Sequence, residues 1–175
     1  MIKSELARAI YEISNLKGEF LLRSGAISNE YFDKYLFEAQ PAILKSIAES
    51  LSPKIPERTE VMAGLEMGGI PIATMLSQVS KIPAIFVRKE AKEYGTCKLA
   101  EGGEIVGKNM VIVEDVVTSG GQIKLSATEL RKEGAVIETV LCVIDRESGG
   151  RDNLEKEGLN LLALFTKSEL DQSTH

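Results

Sequence analysis

The chain has 175 residues, 43% of them hydrophobic, which suits one globular domain with a sizeable core. Its formal net charge of -5 gives no electrostatic footprint for nucleic acid or an anionic membrane, so neither partner is expected. The only two cysteines, Cys97 and Cys142, are far apart, with no C-x-x-C and no nearby histidine; this argues against a disulfide framework or a zinc centre and for a cytoplasmic protein.

Leu6, Ile10 and Ile13 recur at helical spacing, and Lys3, Glu5, Arg8 and Glu12 among them exclude a signal-peptide core. Gly18 is the expected stop of this helix. Residues 19–25 (EFLLRSG) read as a short strand ending in a turn, and residues 27–37 (ISNEYFDKYLF) as a second strand. After Pro41, Ile43, Leu44, Ile47, Ala48 and Leu51 trace the apolar face of an amphipathic helix, which SPKIPER ends with two prolines. The pattern then alternates: strand VMAGL, helix IPIATMLSQVS, strand IPAIFVR. Residues 89–109 lose all apolar period and carry Gly95, Gly102, Gly103 and Gly107, so a long loop is expected there. Loops of that length in compact domains are usually functional or mobile.

Alternation resumes with strand MVIVED, helix QIKLSATELRKEG closed by Gly134, and strand VIETVLCVID. RESGGRD forms a turn, LEKEG a short helix and LNLLALFT a last strand. Strands separated by helices, several of them apolar on both faces, predict an α/β domain over residues 1–175 with a mostly parallel sheet covered on both sides. No apolar run approaches membrane-spanning length, and no internal repeat or linker is evident.

The stretch VIVEDVVTSGGQ, residues 111–122, carries the chemistry. A buried strand runs into Glu114 and Asp115 at the rim where parallel sheets bind ligands. Thr118, Ser119, Gly120 and Gly121 then lead into a helix, so backbone N–H groups and the helix dipole form an anion cradle. Two carboxylates suit the vicinal hydroxyls of a sugar attached to that anion, which suggests a ribose 5-phosphate unit. Turn chemistry alone explains an acid before a glycine turn. The order of strand, acid pair, hydroxyl pair and glycine pair is more specific, and it resembles the phosphoribosyl pyrophosphate motif of type I phosphoribosyltransferases.

Further segments resemble the orotate phosphoribosyltransferases in particular: FVRKEAKEYGTCKLAEGG, FLLRSGAIS with Tyr31 and Asp33, AGLEMGGIPIAT, and IDRESGG from Ile144 to Gly150. The resemblance implies a type I fold with a small N-terminal hood and a long flexible catalytic loop. It also implies transfer of a phosphoribosyl group to orotate, giving orotidine 5′-monophosphate and pyrophosphate in pyrimidine synthesis. Arg88, Lys89 and Lys92 would gather at the pyrophosphate, where negative charge builds as its bond to C1′ breaks. From charge pattern alone these three are an ordinary solvated basic turn.

By the same resemblance, Glu114 and Asp115 would hold the ribose hydroxyls, directly or through magnesium, with Asp115 and Lys92 as catalytic residues. Thr118, Ser119, Gly120, Gly121 and Gln122 would wrap the 5′-phosphate with backbone amides, and Val116 and Val117 would belong to the same donor-binding stretch. Arg146 would take the orotate carboxylate in bidentate fashion, with Thr118 nearby. The plain alternative for Arg146 is a surface ion pair with Asp145 or Glu147. Magnesium is expected mainly on substrate pyrophosphate and ribose oxygens, with no protein metal site. A homodimer with shared active sites is implied as well, each loop reaching the neighbouring subunit.

Three positions depart from the family pattern. Tyr94 stands where many bacterial members have histidine, so histidine cannot be the loop's proton donor; Arg23 replaces a frequent lysine and Gly68 occupies a place that can be lysine, which puts cation contacts from those two loops in doubt. GGEIVGKN, residues 102–109, nearly spells a nucleotide P-loop but lacks the magnesium-binding hydroxyl and precedes a strand instead of following one. Two other functions remain open to the motif: a purine-base phosphoribosyltransferase, against which the Arg-Lys-Glu-Ala-Lys loop and Arg146 argue, and a non-catalytic phosphoribosyl pyrophosphate sensor. The sensor would be expected to carry a DNA-binding segment or basic face, and this sequence shows neither.

Overall fold

The computed structural model describes residues 1–22, 25–90 and 99–173. Helix α1 (Lys3–Ser14) leads into an antiparallel hairpin of β1 (Asn15–Leu21) and β2 (Ile27–Phe32), followed by the short helix α2 (Lys34–Glu38). Then come α3 (Pro41–Leu51), a 3-10 turn (Ser52–Lys54), β3 (Val61–Leu65), α4 (Gly69–Ser80), β4 (Ala84–Val87) and β5 (Ala100–Glu101). The remainder is β6 (Asn109–Val117), α5 (Gly121–Lys132), β7 (Val136–Asp145), α6 (Gly150–Glu155), β8 (Asn160–Thr166) and α7 (Lys167–Gln172).

Six strands form the main sheet in the order β5-β4-β3-β6-β7-β8, all parallel except the edge pair β4–β5. Side chains alternate between its faces with the period of two that a strand imposes. Met110 and Ile112 of β6, with Val140 and Cys142 of β7, meet Ile123, Ala127 and Leu130 of α5 and Leu154 of α6. Val111, Val113, Leu141 and Val143 face the opposite layer, built from α1, α2, α3, α4 and α7 through Leu6, Ile10, Phe37, Ile47, Leu76 and Leu170. The mostly parallel, doubly covered sheet expected from the sequence is therefore present. Among the described residues no helix is long and apolar enough to cross a membrane.

The N-terminal elements differ in detail from their sequence pattern. Helix α1 stops at Ser14, four residues before Gly18, because Asn15 opens a strand that pairs Leu16 with Tyr31 and Lys17 with Glu30. The second strand ends at Phe32 instead of residue 37: the Asp33 side chain accepts the Tyr35 N–H and caps α2, and Phe37 turns into the core. Beyond the last strand, Thr166 and Glu169 close a capping box that starts α7. Within the expected loop, Ala100 and Glu101 pair with Val87 and Phe86 as β5. The short helix α6 begins at Gly150 instead of residue 154. Gly134 does end the α5 turn, at φ 95, with the Ala135 N–H closing onto the Leu130 carbonyl.

Candidate active site

The carboxyl ends of β3, β6 and β7 carry three adjoining turns. Strand β6 continues two residues past the acid pair, with Val116 opposite Ile144 and Val117 opposite Asp145, so Glu114 and Asp115 lie inside the paired strand. The β6–α5 turn follows, with Thr118 and Ser119 exposed and Gly120 at φ 76 opening α5. That left-handed turn into a helix of 12 residues has the form of an anion cradle. It is braced from α6: the Asn153 side chain donates to the Ser119 carbonyl at 3.1 Å. Gly150 packs so closely that an added Cβ would sit 2.5 Å from the Thr118 carbonyl oxygen.

Of the other motif residues, Val117 is buried in the core and its carbonyl accepts the Arg146 N–H at 2.9 Å. Gln122 is half-buried, its side-chain amide 3.4 Å from Ser126 Oγ. Val116 lines a cleft described below.

Asp115 is fully buried on the α2 side of the sheet. Its Oδ1 accepts the Val116 N–H at 2.5 Å, and its Oδ2 lies 2.6 Å from the Lys34 ammonium. Its own N–H donates to Glu114 Oε1 at 3.0 Å. Glu38 of α2 is also buried, and its Oε1 receives no hydrogen bond from a described donor. The Asp115 carboxyl is its acidic neighbour, and two carboxyls this close disfavour a second negative charge. Burial first, then the hydrogen bond with Asp115, push Glu38 up to about 9. Burial, followed by the Asp115 charge, holds Glu114 well above the usual carboxylate range. For Asp115 burial works upward too, but hydrogen bonds with Glu114, Lys34 and Glu38 outweigh it and hold this carboxyl low. Of the three carboxyls Asp115 is the one held low, and the Lys34 ammonium lies directly against it.

The β3–α4 turn explains the glycine at position 68. A Cβ there would fall 1.6 Å from Asp115 Oδ2, so no side chain fits while Asp115 holds this position. The neighbouring peptide between Glu66 and Met67 is cis. Glu66 Oε1 accepts the Lys89 N–H at 2.7 Å, which ties the start of the basic segment to this turn. The Arg88 guanidinium is 3.9 Å from Glu101 Oε1, across the β4–β5 edge. Lys92, Tyr94 and Arg23 lie outside the described residues.

Arg146 lies just beyond β7 and lines a cleft of about 370 Å³ between the hairpin, α1, α7 and the ends of β6 and β7. Tyr11, Asn15, Tyr31, Phe32, Val116 and Lys167 are among its walls. Both acidic neighbours of Arg146 are engaged elsewhere. Asp145 receives the Arg151 guanidinium at 3.0 Å and the Glu147 N–H at 2.9 Å. Glu147 accepts the Ser168 N–H at 2.8 Å and the Ser168 hydroxyl at 2.6 Å. The ion pairs that the sequence left open for Arg146 therefore do not form, and its exposed guanidinium faces a cleft beside the anion turn.

Sequence reasoning placed the acid pair, the turn and Arg146 but missed Lys34, Glu38 and the cleft residues of α1 and α7. The cap at Asp33 was a legible sign of α2 and hence of which way Lys34 and Glu38 turn; α7 had its own sign in Thr166 and Glu169.

Comparison with known proteins agrees with this geometry. Residues 36–167 match the model of the phosphoribosyl transferase domain. An orotate phosphoribosyltransferase of a Nocardioides species is 46% identical over 97% of this chain and 95% of its own length. That of Methanocaldococcus jannaschii is 40% identical over 98% of both chains. Among solved structures, Mycobacterium tuberculosis H37Rv orotate phosphoribosyltransferase in complex with 5-phospho-α-D-ribosyl 1-diphosphate superposes with a TM-score of 0.83 at 25% identity, covering 97% of this chain and 98% of that one. With the fold, the motif turn and near full-length likeness in agreement, the chain belongs to the phosphoribosyl transferase domain family, among its orotate phosphoribosyltransferases.

Proposed function

We propose that this protein transfers the phosphoribosyl group from phosphoribosyl pyrophosphate to orotate, releasing pyrophosphate and forming orotidine 5′-monophosphate for pyrimidine synthesis. The observation that carries the choice of base is the Arg146 guanidinium in the cleft beside the anion turn, which has no ion pair among the described residues. A planar fork matches the orotate carboxylate, and Tyr31 and Phe32 give the same cleft apolar walls for a flat ring.

The donor occupies the adjoining turns in this reading. Backbone N–H groups from Thr118 to Gln122 bind its 5′-phosphate, and the ribose hydroxyls are assigned to the acid pair Glu114 and Asp115. As the bond from C1′ to pyrophosphate breaks, positive charge grows on the ribose ring, and in this reading a negative charge on Asp115 favours it. Arg88, Lys89 and Lys92 meet the charge that grows on the leaving group. Lys92 approaches from the neighbouring subunit of a homodimer.

Among the described residues no group of three acidic, histidine or cysteine side chains is arranged to hold a metal. Magnesium fits this chain as an ion carried on pyrophosphate, ribose and water oxygens, where it would offset the leaving group's charge.

Arg146→Lys tests the base assignment, because it keeps the charge and loses the fork. Calorimetry should show orotate affinity falling about tenfold or more, with donor affinity within about twofold of the parent. Equal orotate binding by the two proteins contradicts the assignment.

A further inference from the structure

Asp115 is held in place by more than its own strand. Lys34 reaches it from α2, Nζ to Oδ2 at 2.6 Å, and the lysine side chain is only 33% exposed. The Asp33 cap and the buried Phe37 fix α2 at both ends, and the Tyr35 ring lies 5.3 Å from the same ammonium. On its other flanks the carboxylate meets the Val116 N–H and the bare Cα of Gly68. A residue outside the motif therefore fixes the carboxylate that the motif presents.

We propose that Lys34 is a positioning residue for the phosphoribosyl donor: its ammonium, reaching over from α2, fixes the orientation of the Asp115 carboxylate for the ribose hydroxyls. The proposal rests on the donor-binding role given to Asp115 above.

The charges around the site give the reason. Lys34 and Glu38 face Asp115 from α2, Glu114 adjoins it on β6, and Cys142 of β7 stands opposite Glu114. The β3–α4 turn presents only backbone at Gly68, and its Glu66 carboxylate is taken by the Lys89 N–H. Burial pushes the Cys142 thiol up, so it stays neutral. Among the described residues Lys34 is the cation that meets Asp115 directly. Without it, three crowded carboxyls would keep their protons to higher pH, and Asp115 would change from an acceptor of sugar hydroxyls into a competing donor.

The test is calorimetric titration of the whole chain with phosphoribosyl pyrophosphate and magnesium, with no base present, from about pH 6 to pH 9. Lys34→Met keeps the apolar stem and removes the charge, whereas Lys34→Arg keeps the charge. The expected result for Lys34→Met is donor affinity about tenfold or more below the parent near neutral pH, recovering as pH rises and Asp115 ionises. Lys34→Arg should stay within about threefold of the parent, because an arginine also pairs with a carboxylate. Inorganic phosphate, which has no ribose, should bind all three proteins alike.

A folded Lys34→Met protein with parental donor affinity at every pH overturns the proposal and leaves the function untouched. A loss that is equal at all pH values, extends to inorganic phosphate and is not rescued by arginine also overturns it, since that marks a purely structural role. A parent chain that binds no donor overturns the donor reading and the proposal together. If Lys34→Met does not fold, Lys34→Gln carries the same comparison.

Discussion

Replacing Gly68 by alanine tests how tightly the acid pair is built into the sheet end. The new Cβ would lie 1.6 Å from Asp115 Oδ2 and 2.4 Å from its Cγ, far inside contact distance. Asp115 is short and fully buried, so it has no flexible end to move aside. Either its carboxylate swings off Lys34 or the β3–α4 turn backs away. The first route breaks a contact of 2.6 Å between opposite charges. Parting one member of a buried pair costs about 3–5 kcal/mol, and relaxation of the turn would reduce that to about 2–4 kcal/mol. For a chain of this length that corresponds to a fall in Tm of about 4–16 °C.

Donor affinity should fall as well, by about 10- to 100-fold, the value of a hydrogen bond to a charged group. Gly103→Ala is the control, since a Cβ there meets only Ile85 Cγ2 at an ordinary 3.6 Å. Scanning calorimetry and donor titration on the three proteins make the comparison. A Gly68→Ala protein that melts and binds donor like the control would refute the geometry assigned to Asp115.

Glu38 sets a pH dependence of stability with a definite sign. Its folded pKa of about 9 lies above the usual carboxylate value, so the folded chain keeps a proton that the unfolded chain releases, and stability declines as pH rises toward 9. Glu114 acts in the same direction, while Asp115, held low, contributes stability that is lost only in acid. Glu38→Gln should flatten the decline in Tm between about pH 6 and pH 9 without abolishing it, and parallel curves for parent and variant would count against a proton on Glu38. The shared-site dimer proposed above predicts complementation. Lys92→Ala and Asp115→Asn should each be inactive alone, yet after verified subunit exchange about a quarter of all sites should be intact. Activity that stays at the level of the single variants would mean each loop serves its own chain.

Much of the site was legible because strand, turn and helix follow one another locally. Residues 111–122 carry their own apolar run, acids and glycines, and the structure keeps that order from β6 into α5. Gly134 likewise marked its helix end through a positive φ. The N-terminal layer was less legible, since α2 is five residues long and the run E-Y-F-D-K-Y-L-F that leads into it from β2 reads as a continuing strand. Helix α2 is held by a cap and by Phe37 packing, and the contacts of Lys34 and Glu38 with Asp115 are long-range; no periodicity foretells them. The ion pairs considered for Arg146 were plausible by adjacency, but they lose to Arg151 and Ser168, partners that only the tertiary fold brings near Asp145 and Glu147.

In the proposed function this protein joins a phosphoribosyl donor to orotate through the Arg146 cleft. The most direct measurement is to incubate the protein with phosphoribosyl pyrophosphate, magnesium and an equimolar mixture of orotate, uracil, hypoxanthine and adenine, and to identify the nucleotide formed by mass spectrometry. Orotidine 5′-monophosphate should be the main product, appearing in step with pyrophosphate. A purine nucleotide as main product, or donor binding with no nucleotide formed, would contradict the account.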